Sequence, residues 1–156
     1  MNMTPLNGSN KIVVVGGGAA GMMAAGMAAQ ASAHVTLLEQ NGRPGKKLLI
    51  TGKGRCNVTN NTDIEGLLAN IPRNGKFLYS AFNRFNSADA MTFFEKLGVP
   101  LKTERGNRVF PQSDSARSIL DSLQRALRTS GAMVKTARVT EILTQEGRVS
   151  GVKTDQ

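Results

Sequence analysis

An α/β fold opening on a βαβ unit is predicted by three features of residues 11–39. A short β-branched run, Lys11 to Val15, ends at a turn rich in glycine. That turn leads into an Ala- and Met-rich stretch from Ala19 to about Ala31, both residue types being good helix formers. A second apolar run, Val35 to Leu38, then closes on Glu39. Apolar runs of this length, without alternation, predict strands buried in a parallel sheet.

The turn itself is Gly16-Gly17-Gly18-Ala19-Ala20-Gly21, a G-x-G-x-x-G placed directly after a strand and at the start of a helix. This is the arrangement of a Rossmann-like nucleotide site. Gly16 allows the sharp exit from the strand, Gly18 lets a pyrophosphate approach the backbone, and Gly21 lets the helix sit close to the sheet. The amides of Ala19 and Ala20, at the positive end of the helix, are aimed at the anion. Glu39 and its neighbour Gln40 end the second strand, where a carboxylate accepts hydrogen bonds from an adenosine ribose. The same carboxylate repels a 2′-phosphate, so the spacing favours FAD or NAD over NADP. A Gly/Ala-rich junction that only packs tightly is the bland alternative.

The remaining elements follow in order. Asn41 to Asn61 is loop-like and carries Arg43, Lys46, Lys47, Lys53 and Arg55 with no acid among them. Lys46 and Lys47 are placed to offer countercharge to a diphosphate. Helical faces are expected at Ile64, Leu67, Leu68 and Ile71, and at Leu78, Ala81, Phe82 and Phe85. Ser87 is expected to cap a helix reaching Leu97 and stopping at Gly98. Val99 to Phe110 reads as extended or irregular. Ser115 to Thr129 has the clearest amphipathic pattern, with Ala116, Ile119, Leu120, Leu123 and Leu127 on one side. Met133 to Thr136 is expected as a third strand of the nucleotide sheet. Val139–Leu143 and Val149–Lys153 are expected as a hairpin around Glu146-Gly147.

Composition narrows the function classes. The chain has 156 residues with a net charge of +9, 40% apolar and 4% aromatic residues. Its mean hydropathy is -0.22 and its pI near 10.3. The basic balance favours anionic partners. Nucleic acid is disfavoured because the charges gather near the expected phosphate site and few aromatics are available for stacking. Cys56 is the single cysteine, which suits a reducing compartment, the cytoplasm. No secretory segment is visible in Met1 to Asn10, which reads as a disordered tail ahead of a domain over 11–156. The uncharged stretch Ile12 to Ala29 approaches membrane-spanning length, but its glycines make it a strand turning into a helix, so no membrane partner is expected. His34 starts a strand away from the turn and reads as a surface residue. No metal-ligand cluster is evident, and no residue stands out as a proton donor to substrate.

At Gly45 to Asn60, GKKLLITGKGRCNVTN, the sequence resembles a bacterial flavoprotein family, the aminoacetone-oxidase-type or bile-acid-reductase-like NAD(P)/FAD-dependent oxidoreductases. The stretches GGGAAGMMAA from Gly16 and ERGNRVFPQSDSA from Glu104 are similar to that family too. The resemblance implies a two-dinucleotide-binding flavoprotein domain with a helical insertion and a hairpin, holding FAD, with NAD(P)H as a possible electron donor. It implies that Gly16, Gly18 and Gly21 meet the pyrophosphate, and that Gly54, Arg55, Cys56 and Asn57 lie along the cofactor towards the flavin. It implies that Val139 contacts adenine through its backbone. Cys56 beside Arg55 also admits a redox-thiol reading, against which stands the lack of a second cysteine.

Two departures from the family accompany these expectations. Ser32 stands where the family has glycine before the second strand, which costs about 1 kcal/mol if the backbone needs positive φ. Family members are more than twice as long and continue into an A-T-G-G-like strand. The chain is therefore expected to be an N-terminal portion, truncated before the last strand of its domain, with weak FAD binding and little turnover alone. An RNA-modifying flavoprotein and a plain NAD-binding dehydrogenase domain are the rival readings.

Overall fold

A computed structural model describes residues 11–31 and 33–156. The expectations for the N-terminal tail and for Ser32 lie outside the described residues. In chain order the elements are β1 (Lys11–Val15), α1 (Ala19–Gln30), β2 (His34–Glu39), a 3-10 segment (Leu48–Gly54), β3 (Thr59–Asn60), α2 (Ile64–Ala69), a 3-10 turn (Gly75–Leu78), α3 (Tyr79–Arg84) and α4 (Ser87–Lys96). Then follow β4 (Leu101–Glu104), a 3-10 turn (Arg105–Asn107), β5 (Arg108–Pro111), α5 (Ala116–Thr129), β6 (Met133–Thr136), β7 (Val139–Gln145) and β8 (Arg148–Thr154). Among the described residues two compact units are distinguished, one of those up to 46 together with 123–156, the other of residues 47–122.

The first unit is the βαβ unit extended by a third strand. Its parallel sheet has the order β1-β2-β6, with Val14 opposite Leu37 and Leu37 opposite Val134. α1 lies against β1 and β2 and buries Met22 and Ala25. Val35, Leu37 and Leu38 of β2 and Leu123 and Leu127 of α5 are buried as well. β7 and β8 form the expected hairpin, with Ile142 opposite Val152.

One expectation needs correction here. β1 is not buried: Val13 is 42% and Val15 57% exposed. A parallel strand is covered only when neighbours occupy both faces and both edges. Among the described residues β1 pairs with β2 alone, so it is an edge strand.

In the second unit, the stretch read as extended or irregular contains strands. β3, β5 and β4 form an antiparallel sheet in that order, with Thr103 opposite Val109. Val99, Leu101, Val109, Phe110, Ala116, Ile119 and Leu120 are buried in this unit. α4 is capped by Asn86, not Ser87: Asn86 Oδ1 accepts from the amides of Ala88 and Asp89, and Asp89 returns a bond to the Asn86 amide. This is a capping box, with an Asn in place of the usual hydroxyl. Ser87 is thereby freed to donate to the Asn60 carbonyl and to meet Thr59 Oγ1 at 2.8 Å, which fastens α4 to β3.

Candidate functional site

The glycine-rich turn adopts the geometry its residues permit. Gly16 has φ +97°, a conformation in which a Cβ clashes, and its amide donates to the Leu38 carbonyl at 2.8 Å. Gly18 is extended (φ -72°, ψ -175°) and begins α1 without a side-chain cap. The first helical amides therefore have neither an intrahelical acceptor nor a capping oxygen from Gly18. A Cβ on Gly18 would meet nothing within 4 Å, so the space in front of it is open. Gly21 is the tight contact: a Cβ there would lie 1.9 Å from the Gly16 carbonyl oxygen. Ala19 and Ala20 open the helix between them.

Glu39 turns its carboxylate towards this corner. Oε2 accepts from the Gly17 amide at 2.6 Å. Oε1 accepts from the Asn41 amide at 2.8 Å and from Asn41 Nδ2 at 2.5 Å. The side chain is buried. Burial alone raises its pKa, but hydrogen bonds from the Asn41 and Gly17 amides, the Asn41 side chain and the Gln40 amide outweigh it, so the net shift is downward. A carboxylate held by donors stays ionised.

The following loop is stitched to the same turn. Gly45 donates to the Gly17 carbonyl at 2.7 Å, and Gln124 Nε2 donates to the Pro44 carbonyl at 3.3 Å. A Cβ on Gly17 would lie 2.9 Å from Pro44 Cβ and 3.0 Å from Glu39 Oε2. Gly17 is thus required by packing, a role that the motif spacing does not reveal because this position is a free one in G-x-G-x-x-G. Asn41 was equally invisible, since the sequence shows only that a polar residue follows Gln40.

A hollow of about 190 Å³ opens beside the carboxylate, lined by Val15, Gly16, Leu38, Glu39, Gln40, Ala137, Arg138 and Val139. It brings together four of the residues singled out from the sequence: Gly16, Glu39, Gln40 and Val139. Arg138 is an addition, carried to the rim by the turn between β6 and β7.

The basic-loop residues do not line this hollow. Lys46 and Lys47 are exposed. In the second unit, Gly54 has φ +84° and Asn57 is exposed, its Nδ2 3.5 Å from Asn60 Oδ1. Arg55 is engaged in a cluster of charges. It bonds Glu104, reaches Asp114 Oδ1 at 2.6 Å and stacks over Phe110 at 4.1 Å from the ring centre. Lys102 joins at 2.6 Å from Asp114 Oδ2. The hydrogen bond to Glu104, then that to Asp114, raises the Arg55 pKa. The GRCN stretch and the ERGNRVFPQSD stretch are therefore tied through Arg55, which satisfies its charge within the protein. Cys56 is buried with φ +62°, and burial pushes its thiol pKa up despite a hydrogen bond with Thr51. That is opposite to what a reactive thiolate needs.

Several of the few aromatics are exposed. Phe77 is 85%, Tyr79 55% and Phe85 43% exposed. Arg73, Lys76 and Arg84 alternate with them and are exposed too. No acidic residue falls between Glu65 and Asp89. No helix among the described residues is long and apolar enough to cross a membrane. No cluster of potential metal ligands occurs among them.

Residues 10–156 match the family described as HI0933-like protein Rossmann domain. The chain is 37% identical over 137 residues to a 3-dehydro-bile acid delta(4,6)-reductase from Clostridium scindens, covering 86% of this chain and 32% of that protein. It is 36% identical over 111 residues to a ribosomal RNA dihydrouridine synthase from Escherichia coli, covering 71% of this chain and 27% of that one. The chain thus spans about a third of the length of these relatives. Among solved structures, a 3-ketosteroid-delta4-(5alpha)-dehydrogenase from Rhodococcus jostii superposes with a TM-score of 0.71 at 17% identity, covering 98% of this chain and 44% of its own, a likeness of fold.

Proposed function

The chain belongs to the HI0933-like Rossmann-domain family of flavoprotein oxidoreductases, and from that premise we propose that it holds the ADP half of FAD at the glycine-rich turn. The observation that carries this is the hollow in which Gly16, Glu39, Gln40 and Val139 meet. The amides of Ala19 and Ala20 face the pyrophosphate across the open space at Gly18, and Gly21 keeps α1 close enough to aim them. Glu39 grips the ribose, and the Val139 backbone borders the adenine. Lys46, exposed in the loop after the turn, supplies countercharge. Within the second unit Arg55 holds its loop to Glu104 and Asp114, and Cys56 is buried.

FAD, when bound, supplies hydride transfer, in the complete enzyme between a nicotinamide or substrate and the flavin. The chain's own part is to bind and orient the adenine dinucleotide. A ligand of the folded state stabilises in proportion to its occupancy, by about 2.7 kcal/mol at a hundredfold excess over Kd. Thermal unfolding with ADP, FAD, NAD and NADP is the test. ADP and FAD are expected to raise the melting temperature by similar amounts, while NADP, whose 2′-phosphate meets Glu39, does little. No response to either ADP or FAD would sink the reading.

A second reading concerns the substrate. The Escherichia coli relative is named for work on ribosomal RNA, and the exposed run of Arg73, Lys76, Phe77, Tyr79 and Arg84 combines cations with stacking surfaces. Single-stranded RNA binds such surfaces through phosphate contacts and base stacking, each stacked base adding about 1–3 kcal/mol. Titration of a labelled single-stranded RNA is expected to show affinity that falls steeply with salt. Phe77→Ala with Tyr79→Ala is expected to weaken it by about tenfold or more. Salt-independent binding, or full affinity in the double variant, speaks for a non-nucleic-acid substrate.

A further inference from the structure

We propose that Asn41 is the positioning residue of the ribose site, the group that holds the Glu39 carboxylate in the orientation a sugar hydroxyl requires. The proposal rests on the ribose reading of Glu39.

Glu39 sits at the last position of β2, where the backbone fixes its Cβ but leaves three side-chain torsions free. Contacts at both carboxylate oxygens restrain them. The Gly17 amide holds Oε2 from the glycine-rich turn. Asn41 holds Oε1 with two donors, its own amide and its side-chain Nδ2. The backbone amide of Asn41 survives any substitution except proline, so the side chain is the separable part. Hydrogen bonds to a charged acceptor are the strong kind, and two on one oxygen fix direction as well as distance. Among the described residues, Asn41 supplies the side-chain hydrogen bond to this carboxylate, the other donors being backbone amides.

Without Nδ2 the Oε1 end gains freedom, and a ligand must order it on arrival. That ordering cost is what preorganisation removes. Asn41→Asp keeps the shape, deletes the donor and places a like charge against Glu39. Asn41→Ala deletes the donor with no new charge.

The experiment measures the Kd of ADP and of 2′,3′-dideoxy-ADP for the 156-residue chain and both variants, with melting temperature recorded for each. ADP is expected to bind about tenfold more weakly to Asn41→Ala, and more weakly still to Asn41→Asp. The decisive quantity is the ratio of the two Kd values. It is expected to be large in the parent chain and to shrink towards one in both variants, because a carboxylate that is no longer aimed cannot distinguish a sugar with hydroxyls from one without. A residue that served only folding would lower the melting temperature and leave that ratio unchanged, and an unchanged ratio in the two variants overturns the proposal. If the parent chain binds ADP but ignores the hydroxyls, the ribose role of Glu39 falls first and the Asn41 role with it.

Discussion

Gly21→Ala is expected to destabilise the chain by about 3 kcal/mol or more and to abolish ADP binding. Overpacking a tight site typically costs ~1–3 kcal/mol, occasionally more. Here the added Cβ would stand 1.9 Å from the Gly16 carbonyl oxygen, a backbone atom that cannot swing aside as a side chain would. α1 must lift from β1, or the turn at Gly16 must open. Either movement displaces the amides of Ala19 and Ala20. Urea unfolding followed by circular dichroism measures the first effect, and ADP titration measures the second. Gly18→Ala is the internal comparison, since its Cβ would meet nothing within 4 Å. It should be nearly neutral for stability and harmful to binding alone. Equal stability for Gly21→Ala and the parent chain would show that the turn is looser than this packing requires.

Glu39→Gln is expected to carry the second large effect, a loss of ADP affinity on the order of a hundredfold together with lower stability at neutral pH. The substitution keeps the shape but turns one acceptor oxygen into a donor facing Gly17 or Asn41, both of which donate to this carboxylate. Leaving a buried donor unsatisfied costs about 1–3 kcal/mol. The pH dependence has a definite sign. Since the folded-state pKa of Glu39 is lowered, its contribution is fully present above the unfolded-state pKa. It is lost as the pH falls through the folded-state value. The parent and the variant should therefore converge in stability on acidification. Glu104 and Asp114 are lowered as well, chiefly by hydrogen bonds from Arg55 and Lys102 respectively. They titrate in both proteins, so the difference between the two curves isolates Glu39. A difference independent of pH would mean that the carboxylate is not held as an anion.

The sequence made the βαβ unit legible because its cues are local. The apolar runs of β1 and β2, the glycine spacing and the acid at position 39 all lie within one short stretch, and each has a mechanical reason. The third strand and the hairpin were equally readable. What escaped depends on distant partners. The partners of Arg55 are Glu104 and Asp114, the latter 59 residues away in sequence. The stretches that hold β3, β4 and β5 were read as loop-like, or as extended or irregular, because strands of 2 and 4 residues carry too few alternations to show a period. The cap of α4 slipped by one residue because Asn86 and Ser87 are both good capping types. Gly17 and Asn41 stand at positions where the motif tolerates any residue, so only the packed corner shows what each does.

The open side of β1 has a practical consequence for handling this chain in solution. Its valines stand half out of the protein, and its outer row of peptide groups finds no partner among the described residues. Such a margin accepts any extended peptide that comes near, and natural proteins usually guard it with charge, proline or a bulge. Ile12 to Val15 has none of these. Whichever segment or copy zips onto this margin will govern colloidal behaviour, so concentrated samples should cloud before dilute ones lose their fold.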